Sequence, residues 1–284
     1  MGPRTYWATG LALIALAALT AIPRHAPTTR ISLNVPDLDG DHHAETLTVV
    51  QKGADPAHVS LYATRGKFTH AMLDTSAQGP FTAHQDAHGF VVKDAHGAPA
   101  LRGVYYRPPG KQMLPQLIVF GHDQARRYVW VQRGFLKLDA HTVIPGYSVG
   151  LLMLGDDQRL LNLIGTRAPG DRFQIALEGS GHLRLQFDKH GMIKSMHYAD
   201  GSYVSTVGVR TGMTLTDVKS HYPGSRVKSD WVSPLYGLMG QIGRGDNVVS
   251  FTITNPWRVA PTGKAAKIRP AKVLDIRTLA KDHR

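Results

Sequence analysis

The chain has no cysteine among its 284 residues. That excludes disulfides, thiolate metal sites, a cysteine nucleophile and a lipid anchor attached through sulfur. Acidic residues are also scarce: 21 Asp and Glu face 33 Lys and Arg, a formal charge of +12. Aromatics make up only 8% of the chain. Long apolar stretches are missing too, apart from one at the N-terminus. What the chain has in quantity is turn formers, 29 glycines and 17 prolines, beside a hydrophobic fraction of 42%. That fraction is enough to build cores, so a disordered chain is excluded, and the turn content suits a β protein.

The one apolar run, WATGLALIALAALTAI from Trp7 to Ile22, follows Arg4 and precedes Pro23 and Pro27. As a helix its span of about 24 Å falls slightly short of a bilayer. A basic start, an apolar middle and small residues at its end read as an export signal over residues 1–24, or as an uncleaved membrane anchor. The expected location is periplasmic or secreted, or else membrane-anchored through residues 7–22. The basic excess collects near the other end, where residues 257–284 carry eight Lys and Arg against two Asp. Outside the cytoplasm such a segment favours anionic lipid, anionic glycan or an acidic envelope protein. No recognition motif accompanies the charge, so nucleic acid is not an expected partner.

Between these ends the chain reads as mainly β. ISLNV, ETLTVV, HVSLYAT, GFVVK, LRGVYYR, LPQLIVFG and RRYVWVQRG are short segments rich in Val, Ile, Tyr and Leu. DAHG occurs twice, at 86–89 and 94–97, on either side of FVVK, and suits tight turns with glycine at positive φ. LLMLGDDQRLLNLIG, 151–165, fits a helix or two short strands. The interruption by Gly155, Asp156 and Asp157 favours strands. TRAPGDR, 166–172, is a candidate boundary, giving an antiparallel β domain over 30–166 and an α+β two-layer domain over 171–284. In the second, alternating strands precede GMTLTDVKSHYPG. Thr214 is placed to cap a helix there, with Asp217 in its first turn and Pro223 and Gly224 ending it. Strands are expected around 236–242, 248–253 and 272–277. Trp231, Tyr222 and Tyr236 are expected in the core.

The stretch VPDLDGDHHAETLTVV, 35–50, carries the chemistry. Asp37, Asp39 and Asp41 alternate, Gly40 permits a tight fold between them, and Glu45 follows as a strand begins. Four carboxylates so close repel one another without a cation, and Ca2+ takes six to eight hard oxygen ligands. The loop is not an EF-hand, because His42 stands where glycine is needed and Thr48 where an acid is needed. DLDGDHHAETLTV resembles the calcium loop of FG-GAP/integrin-α-type repeats. The resemblance implies side-chain ligation by Asp37, Asp39, Asp41 and Glu45, with His43 giving its main-chain carbonyl. Only one good copy is present. GHDQARRYVWV, 121–131, is at most a second copy without its acids, so the loop carries over and a propeller does not. The implied role is structural: a calcium ion pinning a hairpin.

Gly212, Met213, Thr214 and Val218, followed by Trp231 and VVSFTIT, resemble BamE/SmpA-type envelope domains with a fold like β-lactamase-inhibitor protein. That resemblance implies a non-enzymatic binding or assembly module. The competing reading is a secreted serine hydrolase built on GYSVG, 146–150, with Ser148 as nucleophile and Asp171 and His197 as partners. That motif needs a strand before it and a long helix after it, where Pro145, Gly150 and Gly155 stand instead. His84, Asp86 and His88 alternate as a metal trio would, but His88 lies inside a DAHG turn. RGD at 244–246 is expected to be a turn.

Overall fold

A computed structural model describes residues 28–63, 68–110, 113–131, 134–167, 174–177, 181–235 and 237–254. The N-terminal apolar run, Asp171, Tyr236, the basic C-terminal segment and the strand expected at 272–277 lie outside them. The protein is mainly β, built of antiparallel sheets with two short α-helices among the described residues.

The first sheet is a four-stranded meander of β1 (Thr28–Val35), β2 (Glu45–Lys52), β3 (Ala57–Ala63) and β4 (Phe68–Thr75). A six-stranded meander follows: β5 (Thr82–Gln85), β6 (Gly89–Lys93), β7 (Pro99–Tyr106), β8 (Gln116–Phe120), β9 (Ala125–Val131) and β10 (Gly134–Asp139). Meanders arise because each strand ends in a turn too short for anything but antiparallel return. At the first DAHG turn Asp86 accepts hydrogen bonds from the N–H groups of His88 and Gly89; at the second Asp94 accepts from those of His96 and Ala98. Gly97 takes the expected positive φ of 78°. Gly89 instead opens β6 in extended backbone, where glycine is needed because a Cβ would meet the Gly103 carbonyl oxygen at 2.1 Å.

Central strand β8 explains the layering. All five residues of QLIVF are buried. Leu117 and Val119 pack with Leu33, Leu47, Val49 and Val59 of the first sheet. Ile118 and Phe120, on the opposite face, pack with Leu151, Leu160, Leu183, Tyr198 and Phe251. A strand apolar on both faces belongs to a sheet covered on both sides. Side chains from before and after the 166–172 segment therefore share one core.

Beyond the meanders lie β11 (Thr142–Ile144), β12 (Ser148–Val149), β13 (Leu152–Met153), α1 (Gln158–Ile164), β14 (Gly165–Arg167), β15 (Gln174–Leu177), β16 (His182–Phe187) and β17 (Ile193–Tyr198). After these come β18 (Val204–Ser205), α2 (Leu215–His221), β19 (Arg226–Lys228), β20 (Trp231–Ser233), β21 (Leu238–Ile242) and β22 (Val248–Thr254). β11, β12, β13 and β18 form a small sheet, with β18 parallel to β11. The rest form an eight-stranded sheet in the order β14-β15-β16-β17-β22-β21-β20-β19.

The strand reading of 151–165 is corrected. β13 is only two residues long, and a helix runs from Gln158 to Ile164. The aspartates taken as interruptions have local roles. Asp157 is the N-cap, accepting from the Arg159 N–H, and Asp156 anchors the turn before it. The second helix has the expected start. Thr214 accepts from the Asp217 N–H at 3.1 Å, and the Asp217 carboxylate accepts from the Thr214 N–H, a reciprocal capping box. Val218 is its buried contact and Tyr222 its C-cap.

One buried ion pair ties the central sheet to the segment that follows. Arg127 on β9 is fully buried and donates to Asp156 through both terminal nitrogens, at 2.6 and 2.8 Å. It also donates to Gln116 Oε1 and to the Leu151 carbonyl, each at 2.7 Å. Asp156 in turn accepts from the Met153 N–H. A buried charge survives only when its hydrogen-bonding capacity is met, and here it is met from three directions.

Candidate metal centre

The acidic loop connects β1 to β2. Register pairs Val35 with Glu45, so the hairpin closes at Glu45 and the loop is residues 36–44. Each aspartate folds it locally. Asp37 accepts from the Gly40 N–H at 2.6 Å and from the His42 N–H at 2.9 Å. Asp39 accepts from the Asp41 N–H at 3.0 Å, and Asp41 from the His43 N–H at 2.8 Å. Short acidic side chains that bond to a backbone N–H two or three residues ahead bend the chain at every second position. Gly40 takes φ of 81° and His42 φ of 69°. These reversals keep the alternating carboxylates on one side rather than two.

Glu45 completes the cluster from another direction. It is the first residue of β2 and, by alternation, shares a face with Leu47 and Val49, which are core. Its side chain is fully buried. One oxygen, Oε2, accepts from the Leu38 N–H at 2.7 Å. The other, Oε1, is buried without a hydrogen-bond partner. Burial raises the Glu45 pKa to about 7, helped by the negative charges of Asp39 and Asp37 and opposed by the Leu38 N–H.

Ligand oxygens of Asp37, Asp39, Asp41 and Glu45 all lie within 4.8 Å of one another. Oxygens on opposite sides of a Ca2+ ion are about 5 Å apart, so the set fits one coordination sphere. Asp39 is buried and Asp37 half-buried. His43 directs its N–H to Asp41, and its side chain is exposed. Only its carbonyl is a candidate ligand. Leu38 is fully buried in the first core, and Leu114 packs over Gly40, so the loop sits against both meanders.

Other candidate residues are placed differently. Ser148 is fully buried on β12, followed by another short strand rather than a helix, and its Oγ has no hydrogen-bond partner. The geometry of a nucleophile elbow is not formed. His197 lies on β17, bonded to Thr252 Oγ1 at 3.1 Å. Asp86 spends its carboxylate on its own turn, and His84 and His88 are exposed. GHDQ, 121–124, is a plain hairpin turn closed by Gly121 and Gln124. RGD forms a turn of 3-10 helix with Gly245 at φ of 73°. Trp231, expected in the core, is only half-buried, because its β20 position faces away from the core side that Val232 occupies. Nothing local in the sequence marks Arg127 and Asp156 as partners, because they lie 29 residues apart.

Comparison with protein-family models, with curated proteins and with solved structures finds no match to this chain.

Proposed function

We propose that the β1–β2 loop is a structural calcium site, held by Asp37, Asp39, Asp41 and Glu45 with the His43 carbonyl. The observation that carries this is the unpartnered Oε1 of a fully buried Glu45, inside a cluster of four carboxylates. A buried carboxylate oxygen without a donor costs several kcal/mol unless a proton or a cation meets it. A hard divalent cation also relieves the repulsion among the four acids. Ca2+ suits the site better than Mg2+, which keeps most of its water and demands a small octahedron. The ion pins the hairpin against the two meanders; it is not placed to do chemistry.

Around that site we read the chain as an exported, non-enzymatic binding or assembly module of the cell envelope. The apolar N-terminal segment supports the export, and a large sheet with a polar outer face supports binding. The metal assignment is tested by calorimetric titration with CaCl2 and with MgCl2. Saturable one-site binding of Ca2+, at least about tenfold tighter than Mg2+ and lost in Asp39→Ala, is the expected result. No heat with Ca2+ overturns it.

A further inference from the structure

The eight-stranded sheet packs one face into the core; on the other, Ser195 and Ser250 are buried between their neighbours while the residues toward the β19 edge are exposed. Leu183, Leu185, Met196, Tyr198, Phe251 and Ile253 fill the core side. The outward positions follow from the strand register. His197 pairs with Arg184 on one side and Thr252 on the other, and Thr252 pairs with Met239. In the next row Ser250 pairs with Gln241, Gln241 with Trp231, and Trp231 with Lys228. Arg226 closes the far edge opposite Ser233. Arg184, Arg226, Lys228, Met239 and Gln241 are exposed, and Lys228 lies over the Trp231 ring at 6.0 Å.

No carboxylate occupies an outward register position on β16, β17, β19, β20, β21 or β22. This face therefore differs in kind from the acidic loop. It joins cations to a row of amides and hydroxyls around one half-exposed indole.

We propose that this outer face binds a linear anionic glycan bearing carboxylate groups. Arg226 and Lys228, both exposed on β19, are placed to meet the carboxylates. Gln241, and the amide N–H groups of exposed Gln186 opposite Ser195 on the same face, offer hydrogen bonds of the kind sugar hydroxyls exchange. Trp231 supplies the one flat apolar surface a pyranose ring can lie on. A bilayer is a poorer fit, because among the described residues the exposed apolar side chains on these strands, Val227, Met239 and Val249, are few and scattered beside the half-buried Trp231, too few to insert among acyl chains. Burial and the Arg184 charge hold the His197 imidazole below its usual pKa, so an arriving polyanion changes its titration directly. The inference rests on reading the chain as a binding module and does not depend on the calcium site.

The test uses the full chain with a short oligogalacturonate, a neutral maltooligosaccharide, and vesicles of phosphatidylglycerol. Affinity is read by titration calorimetry, and the His197 ring by NMR. The expected result is saturable binding of the oligouronate only, with a shifted His197 signal. Affinity falls about tenfold in Arg226→Gln/Lys228→Gln and in Trp231→Ala, and less than about twofold in the charge-matched control Lys52→Gln/Lys93→Gln. Equal loss in the control shows bulk charge attraction and overturns the proposal. Binding of the vesicles in place of the oligouronate, or no binding of the oligouronate, also overturns it. Oligouronate binding that neither face variant weakens overturns the face while leaving the binding-module reading standing.

Discussion

Glu45 Oε2 accepts the Leu38 N–H at 2.7 Å, from the first residue of one strand to a fully buried leucine inside the loop before it. That single bond fixes which way the carboxylate faces. It leaves Oε1 buried without a hydrogen-bond partner, on a carboxylate that lies in one cluster with Asp37, Asp39 and Asp41.

The pH dependence of stability follows from this pair. Without metal, Glu45 has a folded pKa of about 7, above its ordinary 4.5. The folded state then holds a proton that the unfolded state has released. Stability from this group is full below about pH 4.5 and is lost as pH rises through about 7. The loss is roughly 3 kcal/mol. In chelator, Glu45→Gln removes that slope and is more stable than wild type at pH 8, as urea unfolding at several pH values will show. With Ca2+ the direction reverses: the cation needs the carboxylate, so affinity weakens as pH falls below about 7, and binding there releases protons.

Gly40 is the loop's least replaceable backbone position. Its φ of 81° is costly for any residue with a Cβ, and a Cβ there would meet Leu114 Cδ2 at 3.2 Å. Gly40→Ala should cost about 1–2 kcal/mol and weaken Ca2+ binding, measured by unfolding and by calorimetry.

Breaking the buried ion pair should be the most damaging single change. Arg127→Ala leaves Asp156 charged and buried with only the Met153 N–H to support it. A loss of about 3–5 kcal/mol is expected by urea unfolding. Replacing both partners by apolar residues should recover part of it, whereas a merely surface-exposed pair would show little loss at either step.

Ser148 gives the opposite expectation. Its buried hydroxyl has no hydrogen-bond partner, so Ser148→Ala should leave stability unchanged or slightly raised. A fluorophosphonate probe should not label the folded wild-type protein. Labelling that disappears in Ser148→Ala would restore the hydrolase reading.

Much of this was legible in the residues. Period-two alternation and paired turns mark the meanders, and QLIVF is marked as a strand, but its burial on both faces is seen only once the elements packed against it are in place. Thr214 and Asp217 mark their helix because capping is local chemistry. The acid spacing marks the loop. Gly155-Asp156-Asp157 misled because turn anchor and N-cap side by side look like a helix breaker, while the helix begins one residue later. Spacing is enough to name Glu45 as a member of the acidic cluster. Its core-facing burial depends on the pairing with Val35, and so on tertiary structure. The same holds for the outer face of the large sheet. Arg184, His197 and Met239 come together only because β22, over fifty residues further on, enters beside β17.

The central claim is that a cation completes the β1–β2 loop. Thermal unfolding of the full chain in excess Ca2+, in Mg2+ and in chelator, beside Asp39→Ala, tests it most directly. At one hundred times its dissociation constant a ligand stabilises by about 2.7 kcal/mol, a rise of several degrees in Tm. The account predicts that rise with Ca2+, a smaller one with Mg2+, and none in Asp39→Ala. Identical melting of the wild type in Ca2+ and in chelator would contradict it, leaving four acids that fold a turn and bind nothing.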